Sequence, residues 1–564
     1  MNDETPRPLL KAARRGFSIS YRGKTLLSAF DPVNQAERAA AAAAQKRTLY
    51  FCPSPLLGYG LRAALEKLPP DSALLCVETD AVLAELSRAS LDGGLLAHPA
   101  LLFVGADTGP VNQAGLCAAV HAKWGERNFR RVETLKLSGG WVLNPEGYGE
   151  LAAALNNEIA LQWSNAMTLV KLGRRFMRNT IRSLPLLAAS YHPAGLAFGA
   201  APVLVLGAGP SLDPFLDALR AAPRFPLDPA ARAFRIVCVD TCIPALRERE
   251  LRPDLAVILE SQFWNRRDFT GSAASGIAAA VDLSAYPGSA AALGGPFYFF
   301  FTPWTRLRLF ARMKEAGIVP ALPSGGPMPP LGSVGLSAVE LARRLTAGPV
   351  VCAGIDFSFT LDASHARSSP AHLALLAAHN RLRSLLDAEG AFRAGVFAAA
   401  SKSGGAVRSN PSMRNYRNLF EQEFSSDRRI FDVAGSGLPL GINGRTLGAA
   451  RAIELLRAGG QSVPPRADGA LRGETALSAR LRGFIGAEQA RLEELRGILS
   501  GEGGEKNLDA LLDESDYLWA HFPECAGAGG RRPPSTELSF LKRVRTEIDP
   551  FISLWHWAAR EMDG

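Results

Sequence analysis

The segment PVLVLGAGPSLD, Pro202 to Asp213, joins an apolar run of strand length to a glycine turn and the start of a helix. Val203 to Leu206 are all apolar, the pattern of a strand buried on both faces of a parallel sheet. Gly207 and Gly209 let the backbone turn sharply and bring its N–H groups close to a ligand. Pro210 suits the first helical position, where no donor is needed. Uncapped N–H groups at a helix start bind anions, so the chemistry expected at Gly207, Gly209, Pro210 and Ser211 is the holding of a phosphate. The same residues also fit a tight strand-to-helix turn without a ligand.

Two further runs end on acids. FRIVCVD, Phe234 to Asp240, and LRPDLAVILES, Leu251 to Ser261, read as a second and a third buried strand. In doubly wound sheets ligands sit beyond the carboxyl ends of the strands, so Asp240 and Glu260 are expected at the same crevice as the glycine turn. The alternative is that Asp240 caps a helix near Thr241 and Glu260 is simply exposed.

Pro296 to Phe301 reads as an aromatic strand and SGGPMPPLGSVG, Ser324 to Gly335, as a loop. A helix over Leu336 to Leu345 and a strand over Pro349 to Cys352 follow, with the tail AGIDFSF. This second loop, helix and strand unit brings Gly354 and Asp356 to the crevice. His365, in the polar stretch SHA, is a loop histidine near that crevice and a candidate for proton transfer, against a purely structural role. His372 and His379, on a helix expected over Pro370 to Leu386, read as helix-surface residues.

The flanking elements follow the same logic. Phe17 to Tyr21 and Thr25 to Phe30 make a hairpin around Arg22, Gly23 and Lys24, and Asp31 and Pro32 lead into an alanine-rich helix. Thr48 to Cys52, the loop PSPLLGYG, a helix over Leu61 to Leu68 and a strand over Ala73 to Val77 outline a nucleotide or methyl-donor site, with Glu78 and Asp80 placed for a ribose. Pro53, Ser54 and Pro55 stand where close-approach glycines belong, which makes this domain structural. A strand over Ala100 to Val104 and an amphipathic region over Leu151 to Leu184 close it, and Pro185 to Ala201 reads as a linker. Beyond Leu456, AGGQSVPPRADG is a second linker, followed by helices over Glu474 to Gly497 and Asn507 to Leu518 and a final amphipathic segment from Ser539. The expected class is α/β and multidomain. An N-terminal α/β domain covers 1–190, a central doubly wound, Rossmann-like domain 195–456, and a helical C-terminal domain 470–564.

Composition bounds the function. With 564 residues the chain needs several cores, at roughly 100 to 200 residues per domain. No apolar run reaches the length of a membrane span and the N-terminus has no apolar signal core, so a cytoplasmic protein is expected. The 7 cysteines are scattered and read as reduced core residues, with no partner pair to complete a zinc site around Cys238 and Cys242. The net charge of +9 is dispersed, which favours an acidic small ligand or solubility over nucleic acid.

GAGPSLD, CVD, RPDLAVILES, GSVG, VVCAGIDFSF and SHA together resemble the core of the motility-associated factor proteins, the flagellin glycosyltransferases. GAGPSL and AGIDF are also similar to the anchors of bacterial sialyltransferases that use CMP-sialic acid. YRGKTLLSAFDP, LLGYG with VETD, MRNYRNLFEQEF and IFDVAGSGLPLGI extend the resemblance over residues 17–445. The resemblance implies transfer of a nonulosonic acid, pseudaminic or legionaminic, from its CMP derivative to Ser or Thr of flagellin, in support of flagellar assembly and motility. A CMP-sugar leaves on one phosphate, which helix N–H groups stabilise without a metal, so no cofactor is expected. His365 is then the candidate base, with Asp356 as a second catalytic candidate. Ser333 and Ser337, beside Gly335, are placed to donate to the sugar carboxylate, and Tyr416 to touch the phosphate. Ala208, Asp240 and Glu260 stand where the sialyltransferases carry asparagines. The C-terminal helices are expected to offer a face to flagellin or to a second copy of the chain. Two rivals are a pterin diphosphokinase, which the GPSLD unit also resembles and which needs ATP and a metal, and a non-catalytic flagellin-binding scaffold.

Overall fold

The structure, a computed structural model, describes residues 7–124, 129–222, 232–323, 325–382, 390, 393–458, 475–502, 508–526 and 531–563. Contacts group the chain into two compact units, Met1–Gly173 with Trp519–Glu537, and Arg174–Leu518 with Leu538–Gly564.

In the first unit, β1 (Leu9–Ala12), β2 (Phe17–Tyr21) and β3 (Lys24–Thr25) form a small antiparallel sheet. The return strand ends at Thr25 rather than Phe30, after one further pairing bond from Leu26 N–H to Ile19 O at 2.8 Å. β4 (Thr48–Pro53), β5 (Ala73–Glu78), β6 (Leu101–Gly105) and β7 (Arg131–Thr134) then make a parallel sheet in the order β6-β5-β4-β7. β4 and β5 are buried at every position. Tyr50, Cys52, Leu74 and Cys76 pack into one core and Leu49, Phe51, Leu75 and Val77 into the other, the two-sided burial that TLYFCP and ALLCVE are built for.

The amphipathic region is one helix, Pro145–Ala189, which runs through Pro185 into what the composition reads as linker. A proline inside a helix removes one backbone hydrogen bond. Ile181, Leu184 and Leu187, at helical spacing, are nonetheless all buried, and that face holds the last turns together.

The second unit is built on an eight-stranded sheet in the order β12-β11-β10-β9-β8-β13-β16-β17. Its strands are β8 (Val203–Leu206), β9 (Arg235–Val239), β10 (Leu255–Ile258), β11 (Ile277–Asp282), β12 (Gly294–Phe300), β13 (Val350–Ala353), β16 (Ile430–Val433) and β17 (Thr446–Leu447). Every neighbouring pair is parallel. From β8 the chain winds outward through β9 to β12, then returns to lay β13 on the other side of β8. The reversal of winding between β8 and β13 is where such sheets open a ligand crevice. The hairpin of β14 (Phe397–Ala400) and β15 (Ala406–Ser409) lies outside this sheet. The class is α/β and doubly wound.

Within this unit the Thr475–Leu499 helix packs on the Leu538–Asp563 helix. Arg312, on the Arg308–Glu315 helix, grips buried Glu488 through Nε–Oε1 at 2.8 Å and Nη2–Oε2 at 3.0 Å. The expected linker after Ala458, the helix starts at Glu474 and Asn507, and most of the end of the Pro370–Leu386 helix lie outside the described residues; the described part of that helix is Pro370–Ala378. All the cysteines are free of disulfides. Among the described residues no helix is long and apolar enough to cross a membrane.

Candidate functional site

At the β8–β13 reversal the two chain segments cross almost in contact. Gly207 N–H donates to Ala353 O at 2.8 Å and Gly209 N–H to Gly354 O at 2.9 Å. Gly354 has φ +71°, a conformation that suits glycine, and a Cβ there would strike the Gly207 carbonyl. A Cβ on Gly209 would meet the Asp356 carboxylate and, at 2.7 Å, the Gly354 carbonyl. These glycines therefore serve the crossing itself, and the Gly209 N–H is already used inside the protein.

The helix that follows spans Leu212–Ala221, with Ser211 as its cap, so Pro210 lies before the helix rather than at its first position. Ser211 N–H donates to Asp356 Oδ2 at 2.8 Å and Ser211 Oγ to Asp356 Oδ1 at 2.5 Å. Asp356 thus occupies part of the anion-seeking helix start that the sequence offers to a phosphate. Ala208, Gly209 and Pro210 remain only partly buried, at the rim of the turn.

His365 is brought to this turn. Ala366 N–H donates to Ala208 O at 2.9 Å, and Arg367 N–H to Asp213 Oδ2 at 2.8 Å, so the SHA stretch runs along the start of the helix. The half-buried His365 ring has Nδ1 3.2 Å from Ser364 Oγ.

The loop before the Val334–Leu345 helix meets the same segment from another direction. A Cβ on Gly335 would lie 3.2 Å from Ile355 Cδ1, and one on Gly332 3.3 Å from the Tyr416 ring. Ser333 precedes the helix without capping it by its side chain. Ser337 is buried and its N–H donates to Ser333 O at 3.0 Å. Tyr416, on the Pro411–Phe424 helix, lies 6.4 Å from the Phe357 ring, and burial raises its phenol pKa. Phe357 has φ +48°, a strained backbone for an aromatic residue. It is held by Ser409 Oγ donating to Phe357 O at 2.9 Å and by paired backbone bonds between Phe359 and Arg408.

The second and third strand ends differ from each other. Asp240 is buried and its carboxylate accepts from Thr241 N at 2.9 Å and Asn265 Nδ2 at 2.7 Å. Burial pushes its pKa up to about 6, and that of nearby Asp268 up to about 7. Cys242 reaches back with Sγ to Leu206 O at 3.4 Å, which sets this turn beside the end of β8. Glu260 is exposed and accepts from Gln262 N at 2.8 Å. Exposed Phe263 and Trp264 follow it.

Lys402 is the residue sequence reasoning passes over. It sits in the turn of the β14–β15 hairpin with its side chain 1% exposed. Its ammonium lies 2.8 Å from Asp432 Oδ1, 3.2 Å from Ile355 O and 3.9 Å from Asp356 Oδ1. A lysine in SKSGG reads as a solvated turn, and nothing local reveals the two carboxylates that fold around it.

In the first unit Glu78 and Asp80 are both engaged by protein. Buried Glu78 accepts from Ser54 Oγ at 2.5 Å and Tyr148 Oη at 2.8 Å, while Asp80 caps the Ala81–Ser90 helix and pairs with Arg22. Among the described residues no group of three or more His, Cys, Asp or Glu is arranged to hold a metal ion.

Residues 178–362 of this doubly wound unit match the family described as 6-hydroxymethylpterin diphosphokinase MptE-like. Across 99% of this chain and 93% of the other, the fold is similar to the structure of MAf glycosyltransferase from Magnetospirillum magneticum AMB-1, with a TM-score of 0.54 at 14% identity. The resemblance to motility-associated factor proteins is thereby matched in fold along the chain. An uncharacterized protein of Treponema pallidum (strain Nichols) is 30% identical over 572 residues, 97% of this chain and 95% of that one. The chain belongs to the same family as that Treponema protein.

Proposed function

We propose that this protein is a glycosyltransferase that moves a nonulosonic acid of the pseudaminic or legionaminic type from a CMP-sugar to Ser or Thr of flagellin in the cytoplasm. The observation that carries the reading is the bond from Ala366 N–H to Ala208 O. It sets His365 beside the glycine turn at the sheet's switch point, on a fold like that of a MAf glycosyltransferase. In this reading the rim of the turn, Ala208 to Pro210, and the starts of the Leu212–Ala221 and Val334–Leu345 helices face the donor. The helix dipoles favour the phosphate, and Ser333 and Tyr416 flank it. His365 takes the acceptor hydroxyl proton as the oxygen attacks the anomeric carbon and CMP leaves.

The MptE-like match over residues 178–362 favours a second reading, a pterin diphosphokinase, in which ATP with a metal would occupy the same turn. Calorimetry with CMP and with ATP plus Mg²⁺ separates the two: glycosyl transfer requires CMP to bind and to compete with the donor, and a preference for ATP selects the kinase. Mass spectrometry of flagellin from cells with and without the protein tests the acceptor. Unchanged flagellin mass ends the transferase reading.

A further inference from the structure

Asp356 and Asp432 bury two carboxylates around one ammonium. The side chains of Lys402, Asp356 and Asp432 are 1%, 1% and 0% exposed. Asp432 sits in β16 opposite Cys352 of β13 and takes the close contact with Lys402 at 2.8 Å. Asp356 takes the longer one, and spends its two oxygens on Ser211 N–H and Oγ. The surrounding backbone fixes this spacing, with Lys402 N–H on Gly437 O and Leu438 N–H on Asp356 O, both at 2.8 Å. A Cβ on Gly437 would meet both the Asp356 carboxylate and Lys402 Cε, so no side chain fits between them.

The charge order matters for the helix start. The ionised carboxylate accepts from both Ser211 N–H and Ser211 Oγ, and bonds to an ionised acceptor are stronger than those to a neutral acid or amide oxygen. In a dry site a carboxylate stays ionised only with a counter-charge at hand. The Leu212–Ala221 dipole supplies part of it and the lysine the rest.

We infer that Lys402 is a positioning residue: its buried ammonium, set between Asp432 and Asp356, supplies the counter-charge that fixes the Asp356 carboxylate, and Asp356 in turn holds Ser211 and the glycine turn in the geometry that faces the donor. This rests on the proposed function only for the identity of the ligand, since the lock itself is a property of the chain. It also gives Asp356 a holding task in place of a proton-transfer one.

The test compares the full-length wild type with Lys402→Met and Asp432→Asn, following hydrogen exchange by mass spectrometry in peptides covering residues 205–215, alongside CMP affinity. Lys402→Met should lower protection there and weaken CMP binding, each by about tenfold or more, the size of losing one charge-assisted hydrogen bond. Asp432→Asn removes the other partner of the lysine and should leave both within about twofold. A purely structural cluster would make the two variants behave alike. Equal protection in Lys402→Met and wild type, with the fold intact, overturns the inference. If Lys402→Met does not fold, Asp356→Asn takes its place, and unchanged exchange over 205–215 in that variant overturns it equally. A wild type that binds no CMP sinks the proposed function while the exchange comparison still judges the lock.

Discussion

Asp356 holds Ser211 by two hydrogen bonds, to its amide at 2.8 Å and its hydroxyl at 2.5 Å, so the end of one strand-and-turn unit caps the helix of the other. The glycine motif and the aspartate, far apart in sequence, are one structural device. In the proposed reading the donor meets what that device leaves open, the rim from Ala208 to Pro210.

Gly209 is therefore where the fold and the proposed donor site meet. Gly209→Ala places a methyl against the Asp356 carboxylate and the Gly354 carbonyl, an overpacked contact worth about 1–3 kcal/mol. The variant should lose both melting temperature and CMP affinity. Full thermal stability combined with lost CMP binding would mean instead that the glycine makes room for the ligand alone.

Stability should depend on pH through the buried carboxyls. Burial raises Asp432 to about 6 and Asp516 to about 7 from an ordinary 3.8. An acid whose folded pKa lies above its unfolded value binds more protons when folded, so stability is greatest in acid and falls as pH rises. For Asp516 the decline spans pH from about 4, the unfolded pKa, to about 7. Asp516 Oδ2 accepts from Arg308 N at 2.6 Å, a bond an asparagine oxygen can keep. Asp516→Asn should flatten the slope of denaturant midpoint against pH across that window; an unchanged slope assigns the dependence elsewhere.

Arg312 ties the C-terminal helices to the sheet-bearing part of their unit. Arg312→Ala leaves Glu488, 1% exposed, with Arg491 as its remaining basic partner, and should cost about 3 kcal/mol, toward the lower end for breaking a buried pair. Urea unfolding measures this, and a loss below about 1 kcal/mol would class the pair with exposed ones.

Much of the second unit was legible because both faces of its central strands are covered: VLVL, IVCV and LAVI are continuous apolar runs of strand length, the pattern of a buried parallel strand. IAAAVD of β11 was not, since alanine carries little strand preference. The β14–β15 hairpin was missed for the same reason, with FAAA on one side. The meeting of Gly207, Gly354, Asp356 and His365 at one place was readable from strand ends and winding order. What those residues touch was not. The Ser211–Asp356 bonds and the burial of Lys402 depend on long-range packing, and no local pattern distinguishes a lysine in a solvated turn from one enclosed by two carboxylates.

His365 separates catalysis from holding. The SHA stretch is fixed by its neighbours, through Ala366 to Ala208 and Arg367 to Asp213, so removing the ring should leave the turn in place. His365→Ala should therefore keep CMP affinity and melting temperature near wild type while turnover falls by about 10²- to 10⁴-fold. A variant that glycosylates flagellin at the wild-type rate would remove His365 from the chemistry and leave the proton to be taken by another group, of which exposed Glu260 is the next to replace.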